Sequence, residues 1–530
     1  MRRRNFIRNA TMGAILPGII NGFSVKAIGA SSAFHRLLSP FTETDHVLVL
    51  IQLTGGNDGL NTVLALDQYG QLSVARGNIL IPEAEALTLE GYDATGLHPA
   101  MTGMQTLFNE GKLQIVQGVG YPEQNYSHFR STDIWMTGSD ADEDLTSGWA
   151  GRYLEYEYPN YPVGYPNATM PDPLAIQIGS LLSVTMMGSA NGMGVTISSA
   201  DDFYNLVTGV QSPVPNTHAG KELAYIRLVA EQSQAYNSVI LNAANNVTQQ
   251  YAGYPAAGEN VLADQLKIVS RLIAGGLKTR LYMVSLGSFD THSNQVDAAD
   301  TTQGDHAVLL QKLSDAIYAF VRDLEFLGTQ NRVVGMTFSE FGRRIKSNAS
   351  VGSDHGAGAP LFVFGHPVQS GVLGQNPAIP DNATTEDNIA MQYDFRSVYA
   401  SMLQDWLCVP SDDLDDILLH NFQPLPIINS PGCISTDIHE LNQKAGVSLV
   451  ACYPNPFTFA TTVSFQTAGG HTLVQVFNTY GQVMNTLVDA EYAPGYYSVY
   501  YNGEHLPAGT YYCRLQNGVV QQVKTLIKVR

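Results

Sequence analysis

The chain has 530 residues, 44% of them hydrophobic and 14% charged, with a formal net charge of -19. That composition excludes a disordered chain and suffices for one large domain with a smaller one beside it. The acidity, with no basic run to offset phosphate repulsion, excludes nucleic acid and an anionic membrane as partners, and any anionic substrate needs a local cation.

In chain order, Arg2-Arg3-Arg4-Asn5-Phe6-Ile7-Arg8 precedes a mildly apolar stretch from Ala10 to Ile20 that Pro17 and Gly18 interrupt. The stretch falls short of the roughly 20 residues of a membrane-spanning helix, and small residues near Ala27 and Ala30 offer cleavage points. These features resemble a twin-arginine export signal over residues 1–30. The resemblance implies the twin-arginine translocase as a partner, folding before export, and no transmembrane segment in the mature chain.

His46 to Leu53 is a continuous apolar run ended by Thr54-Gly55-Gly56, the pattern of a strand buried on both faces. Leu113–Val119, Leu174–Ile178, Arg280–Leu286, Arg332–Phe338 and Pro360–Phe364 read as further strands. Between them, apolar residues recur at three- and four-residue spacing from Asp305 to Leu327, predicting an amphipathic crossover helix, and Lys221–Gln249 and Val261–Leu277 are also helical. Alternating strands and helices predict an α/β class with a mainly parallel central sheet over residues 31–428.

Residues 429–446 read as a linker, and 447–530 as a small all-β sandwich of short alternating strands with regular turns. Its Tyr453-Pro454-Asn455-Pro456-Phe457, Asn478-Thr479-Tyr480-Gly481-Gln482 and Leu506-Pro507-Ala508-Gly509-Thr510-Tyr511 resemble, in that order, the type A C-terminal sorting domain of the type IX secretion system. The resemblance implies passage through the periplasm and delivery by outer-membrane machinery to the cell surface or the medium. The cysteines, Cys408, Cys433, Cys452 and Cys513, all fall in the last quarter of the chain, and their pairing stays open.

Polar clusters are expected at or just beyond strand C-termini, where an open α/β sheet presents its crevice. Asp58 lies in Gly55-Gly-Asn-Asp58-Gly, Asp290 and His292 in Phe289-Asp-Thr-His292, Glu340 after Phe338, and Asp354 and His355 in Asp354-His-Gly356. Carboxylates with imidazoles suit a divalent metal, zinc or manganese foremost and calcium as an option. His306, opening the crossover helix, could swing to the same crevice, while Asp58 as a turn former and Glu340 ion-paired to Arg343 are the structural alternatives.

In this order, and with Ser127-His128-Phe129 ahead of Asp133-Ile-Trp135, these motifs resemble the family of domain of unknown function 1501 over residues 45 to 410. That family is similar to the alkaline phosphatase and sulfatase superfamily. The resemblance implies metals at the strand ends, Ser127 as nucleophile at a helix start, Arg130 near the ester anion, and a small anionic ester as substrate. The chain departs from the sulfatase pattern in having neither Cys nor Pro-Ser-Arg at the nucleophile, and for the later metal-binding His of the phosphatases the options are His366 and His420, neither with convincing context. A metal-dependent phosphoric or sulfuric ester hydrolase is expected; the alternative is a non-catalytic surface binding or structural protein on a degenerate hydrolase scaffold.

Overall fold

The computed structural model describes residues 44–197, 236–429, 433, 448–478, 482–517 and 520–529. The expected export signal, most of the linker and the first part of the 221–249 helix lie outside them, although 236–246 are helical.

Strand β1 (Val47–Leu53) has all seven residues buried. Because side chains alternate across a strand, Val47, Val49, Ile51 and Leu53 join one apolar core, while Leu48 and Leu50 join a second core on the opposite face. Around it lie β2 (Leu113–Gly120), β3 (Ala175–Ile178), β4 (Val195–Ile197), β5 (Leu281–Leu286), β6 (Val333–Phe338), the hairpin β7 (Arg343–Ser347) and β8 (Ser353–His355), then β9 (Ala359–Phe364), β10 (Gly371–Leu373) and β11 (Tyr393–Asp394). Nine strands form the central sheet in the order β10-β2-β9-β6-β1-β5-β3-β4, with β11 also on β2.

The sheet is mainly parallel, as expected: β1 pairs in parallel with both β5 and β6. β9 is the exception, antiparallel to its neighbours β2 and β6. Consequently the start of β9 reaches the edge where β1, β2, β5 and β6 end. Asp354 and His355 therefore do not follow a strand of the central sheet; they arrive at the crevice from the opposite direction, in the hairpin just before β9.

Three helices matter for the site: α1 (His128–Thr137) after β2, α2 (Val261–Ala274) before β5, and α3 (Asp305–Phe326) between β5 and β6. The apolar stripe of α3, including Leu309, Leu313, Ala316, Ile317, Phe320 and Leu324, packs with Leu266 and Val269 of α2 in the core that also holds Val49 and Ile51. Among the described residues no helix is long and apolar enough to cross a membrane.

Between Ser448 and Lys528 seven strands form two antiparallel sheets, of three and four strands, around Val463, Phe465, Val474, Leu515 and Leu526. Cys408 is disulfide-bonded to Cys433, while Cys452 and Cys513 are free and buried.

Candidate metal centre

Where β1 ends, the chain turns through Thr54-Gly55-Gly56-Asn57-Asp58, and where the neighbouring β5 ends it runs on to Phe289-Asp290. These turns touch. Gly55 has φ +125°, and a Cβ there would stand 2.3 Å from the Asp290 amide nitrogen, so glycine alone permits the approach. β6 delivers Glu340 two residues past its end, and the hairpin sets Arg343 opposite His355. α1 presents His128 at its first turn.

Asp290 lies at the centre. Its Oδ1 accepts from the Arg343 guanidinium at 2.7 Å and stands 3.3 Å from Nε2 of both His292 and His355, while Oδ2 stands 3.4 Å from His128 Nε2. The His292 and His355 Nε2 atoms are themselves 2.8 Å apart. Asp290 is about half exposed, so the cluster opens to solvent. Burial works against its ionisation, but the bond and charge of Arg343, with the two imidazoles, hold its carboxyl below the usual range. Burial pushes the His355 imidazole below its ordinary value, Arg343 adding to this against the bonds to Tyr126 and Asp290.

The second nitrogens of these rings determine what the first can do. His128 Nδ1 faces a Glu340 carboxylate oxygen at 2.9 Å, His292 Nδ1 an Asp354 oxygen at 3.0 Å, and His355 Nδ1 the Tyr126 carbonyl at 2.8 Å. Each of those oxygens only accepts, so each Nδ1 carries the hydrogen and each neutral ring leaves a bare lone pair at Nε2. With the rings neutral, three Nε2 lone pairs would face the Asp290 carboxylate, an arrangement that a cation satisfies. Four ligands at about 2.0–2.2 Å from a tetrahedral ion stand about 3.3–3.6 Å apart, which the three imidazole contacts of Asp290 match, whereas His292 Nε2 and His355 Nε2 are closer together, at 2.8 Å. The donor atoms of His128, Asp290 and His355 all lie within 4.8 Å of one another.

Asp290, His292 and His355 are brought together, with Glu340 and Asp354 behind the rings as their hydrogen-bond partners. Glu340 is buried, bonds the Gly55 amide at 2.8 Å and does not pair with Arg343, which instead holds Asp290 and the carbonyls of Gly55, Gly56, Phe289 and Ser353.

Asp58 differs from its expected place. It is fully buried in a bidentate pair with Arg76 at 2.8 and 3.0 Å, accepts from Gln295 and caps the short helix Gly59–Thr62 through the Leu60 amide, so its oxygens are already engaged. His306 is likewise buried with Nε2 on Asn57, away from the cluster, and burial above all pushes its pKa down to about 4. Arg130 turns outward to Asp133, Asp144 and the carbonyls of Asp140, Ala141 and Glu143. His366 pairs with Glu325 and His420 with Asp140, so neither supplies the missing later ligand.

Ser127 stands at the N-cap of α1 but makes no capping bond with its side chain, which is exposed. Tyr126 before it and His128 after it both touch the cluster. His128 itself is the donor that sequence reasoning passed over, although its position beside Ser127 at a helix start was the available signal.

Residues 185–406 match a family described as a protein of unknown function (DUF1501), and residues 451–529 match the secretion system C-terminal sorting domain. The first span contains Asp290, His292, Glu340, Asp354 and His355, whereas Ser127 and His128 precede it. No curated protein matches the chain. Among solved structures it is similar to a protein of the alkaline phosphatase superfamily from Vibrio parahaemolyticus, at 8% identity over 92% of this chain and 84% of that one, TM-score 0.33. It is also similar to a sulfatase from Pseudoalteromonas sp., at 11% identity over 85% and 83%, TM-score 0.35. A phosphonate monoester hydrolase from Silicibacter pomeroyi follows at 9% identity over 91% and 89%, TM-score 0.28.

Proposed function

We propose that this chain, whose sorting domain marks it for export to the cell surface or the medium through the type IX machinery, is a metal-dependent hydrolase of phosphoric or sulfuric esters. One observation carries the metal: three imidazoles, each set at Nδ1 against an acceptor oxygen, direct their Nε2 atoms at one carboxylate. His128, Asp290 and His355, with His292 beside them, are the residues that would hold the ion. Nitrogen-rich donors with one carboxylate suit zinc or manganese better than calcium, which takes oxygen ligands.

The exposure of Asp290 supports a site with an open position rather than a closed structural one. A divalent ion bound there supplies a Lewis acid and lowers the pKa of an adjacent hydroxyl or water. Glu340, Asp354 and the Tyr126 carbonyl keep the imidazoles in one tautomer, and Arg343 fixes Asp290. Ser127, between two residues that contact the cluster, carries the attacking hydroxyl in this reading. The geometry gives Arg130 no part, so the charge of the ester falls to the ion.

The test is elemental analysis of the purified protein beside its His128→Ala and His355→Ala variants, followed by a screen of phosphate and sulfate esters. About one equivalent of zinc or manganese per chain is expected, lost in both variants while the fold persists. No metal after reloading would move the assignment to a surface binding protein.

A further inference from the structure

The two sheets of the C-terminal sandwich meet at a pair of thiols. Cys452 lies in the strand Ser448–Tyr453 of the three-stranded sheet, and Cys513 in the strand Gly509–Asn517 of the four-stranded sheet. Side chains alternate along a strand, and Cys513 falls on the buried face with Tyr511 and Leu515. In the other strand a bulge between Leu449 and Ala451 breaks the alternation, so Leu449 and Cys452 both turn inward. Their neighbours in the ladders, Val463 beside Cys452 and Val476 beside Cys513, are buried in the same core. Across that core the two thiols share a hydrogen bond. The bond from Cys513 and, more weakly, the Lys524 charge hold the Cys452 thiol below its ordinary value against burial, while the same bond and burial push Cys513 up. Cys452 is thus the acceptor and the readier thiolate, and Cys513 the S–H donor.

We propose that Cys452 and Cys513 are a disulfide site, closed after export, that staples the sandwich across its two sheets. The co-reactant is a disulfide donor, a small molecule or a protein. The Cys452 thiolate attacks one donor sulfur, breaking the donor S–S bond and releasing one thiolate. Cys513 then gives up its proton and attacks the Cys452 sulfur; the Cys452–Cys513 bond forms and the second donor thiolate leaves. The donor ends as two thiols, carrying the two electrons and the two protons of the protein thiols. Access follows from position: within its sheet Ser448–Tyr453 pairs on one side only, with Ala460–Thr467, so detaching that one edge strand uncovers Cys452. The sorting domain marks the chain for export, to surroundings in which disulfides persist, and the chain already closes Cys408 to Cys433. A sandwich this small buries a limited core, so a bond between its sheets adds to its stability.

The experiment holds the reduced full-length chain with oxidised glutathione in sub-denaturing urea, so that the edge strand can open. The chain is then unfolded with excess N-ethylmaleimide and mapped by peptide mass spectrometry. A cross-linked peptide joining Cys452 to Cys513, with no maleimide on either, is the expected result. Maleimide on both cysteines overturns the site, as does a cross-link of either one to Cys408 or Cys433. The staple is read separately, in a Cys408→Ser/Cys433→Ser background that removes the other disulfide. There, dithiothreitol should lower the urea midpoint of the oxidised chain, and the further changes Cys452→Ser and Cys513→Ser should abolish that dependence. A midpoint that dithiothreitol does not move overturns the stapling, and the peptide map of the unmutated chain decides the site even where a variant fails to fold.

Discussion

Asp58 and Asp290 occupy comparable positions, in the turns that follow two adjacent parallel strands, and yet do opposite things. Asp58 is sealed: Arg76, Gln295 and the Leu60 amide use its oxygens, and no water reaches it. Asp290 has one guanidinium at one oxygen and otherwise faces lone pairs and solvent. A carboxylate whose hydrogen-bonding capacity is met inside the protein serves the fold; one held from behind and left unsatisfied in front can bind a ligand.

The largest expected effect breaks this contrast at its closed end. Arg76→Ala leaves Asp58 buried without a counter-charge and should lower stability by about 3–5 kcal/mol in urea unfolding. Asp290→Ala removes a half-exposed carboxylate and leaves the buried Arg343 guanidinium bonded to four backbone carbonyls, so it should cost less, about 2 kcal/mol. Equal losses would erase the distinction.

Next comes acidity. His306, on Asn57 beside the Asp58 turn, is pushed down to about 4 above all by burial, which the Asp58 charge opposes and the charges of Arg343 and Arg76 reinforce. His98 falls to about 3 through burial and then His306. Below its unfolded value of about 6.5 the unfolded imidazole takes a proton that the folded one refuses. Stability is therefore complete above about pH 6.5 and is lost as pH falls toward 4, by about 3 kcal/mol for His306. Thermal unfolding from pH 7 to 4.5 checks this, and His306→Gln should flatten the slope.

The smallest effect sharpens the open end. Glu340→Gln should weaken metal affinity about tenfold while changing the fold little, because it disturbs the partner that fixes the His128 tautomer. Competition with a chromogenic chelator measures it; unchanged affinity would remove Glu340 from its orienting part.

The central strands were legible because both faces are covered, which makes them continuous apolar runs, and α3 because its apolar residues keep helical spacing. The direction of β9 was not: Pro360–Phe364 reads the same either way, and only pairing with β2 and β6 reverses it. In the candidate site, Asp290, His292 and His355 were legible as acids and imidazoles close to strand ends. Asp58 looked equivalent because its sealing partner Arg76 is 18 residues away and its other partner Gln295 is 237 away. Glu340 and Asp354 were recognised as part of the neighbourhood, but whether a carboxylate faces an ion or an imidazole depends on distances of an ångström or two, which residue type does not encode.

The β7-β8 hairpin carries on facing positions the guanidinium that steadies Asp290 and one of the imidazoles that meets it. Its tip, Asn348 to Gly352, lies near the surface, where changes in length are ordinarily tolerated. Here the tip acts as a ruler. One residue gained or lost between the arms would shift His355 against Arg343 and turn it to the other face. Libraries that vary this tip should therefore accept substitutions at the exposed Ala349 and Ser350 and reject insertions, giving a length-intolerant loop on an otherwise permissive exterior.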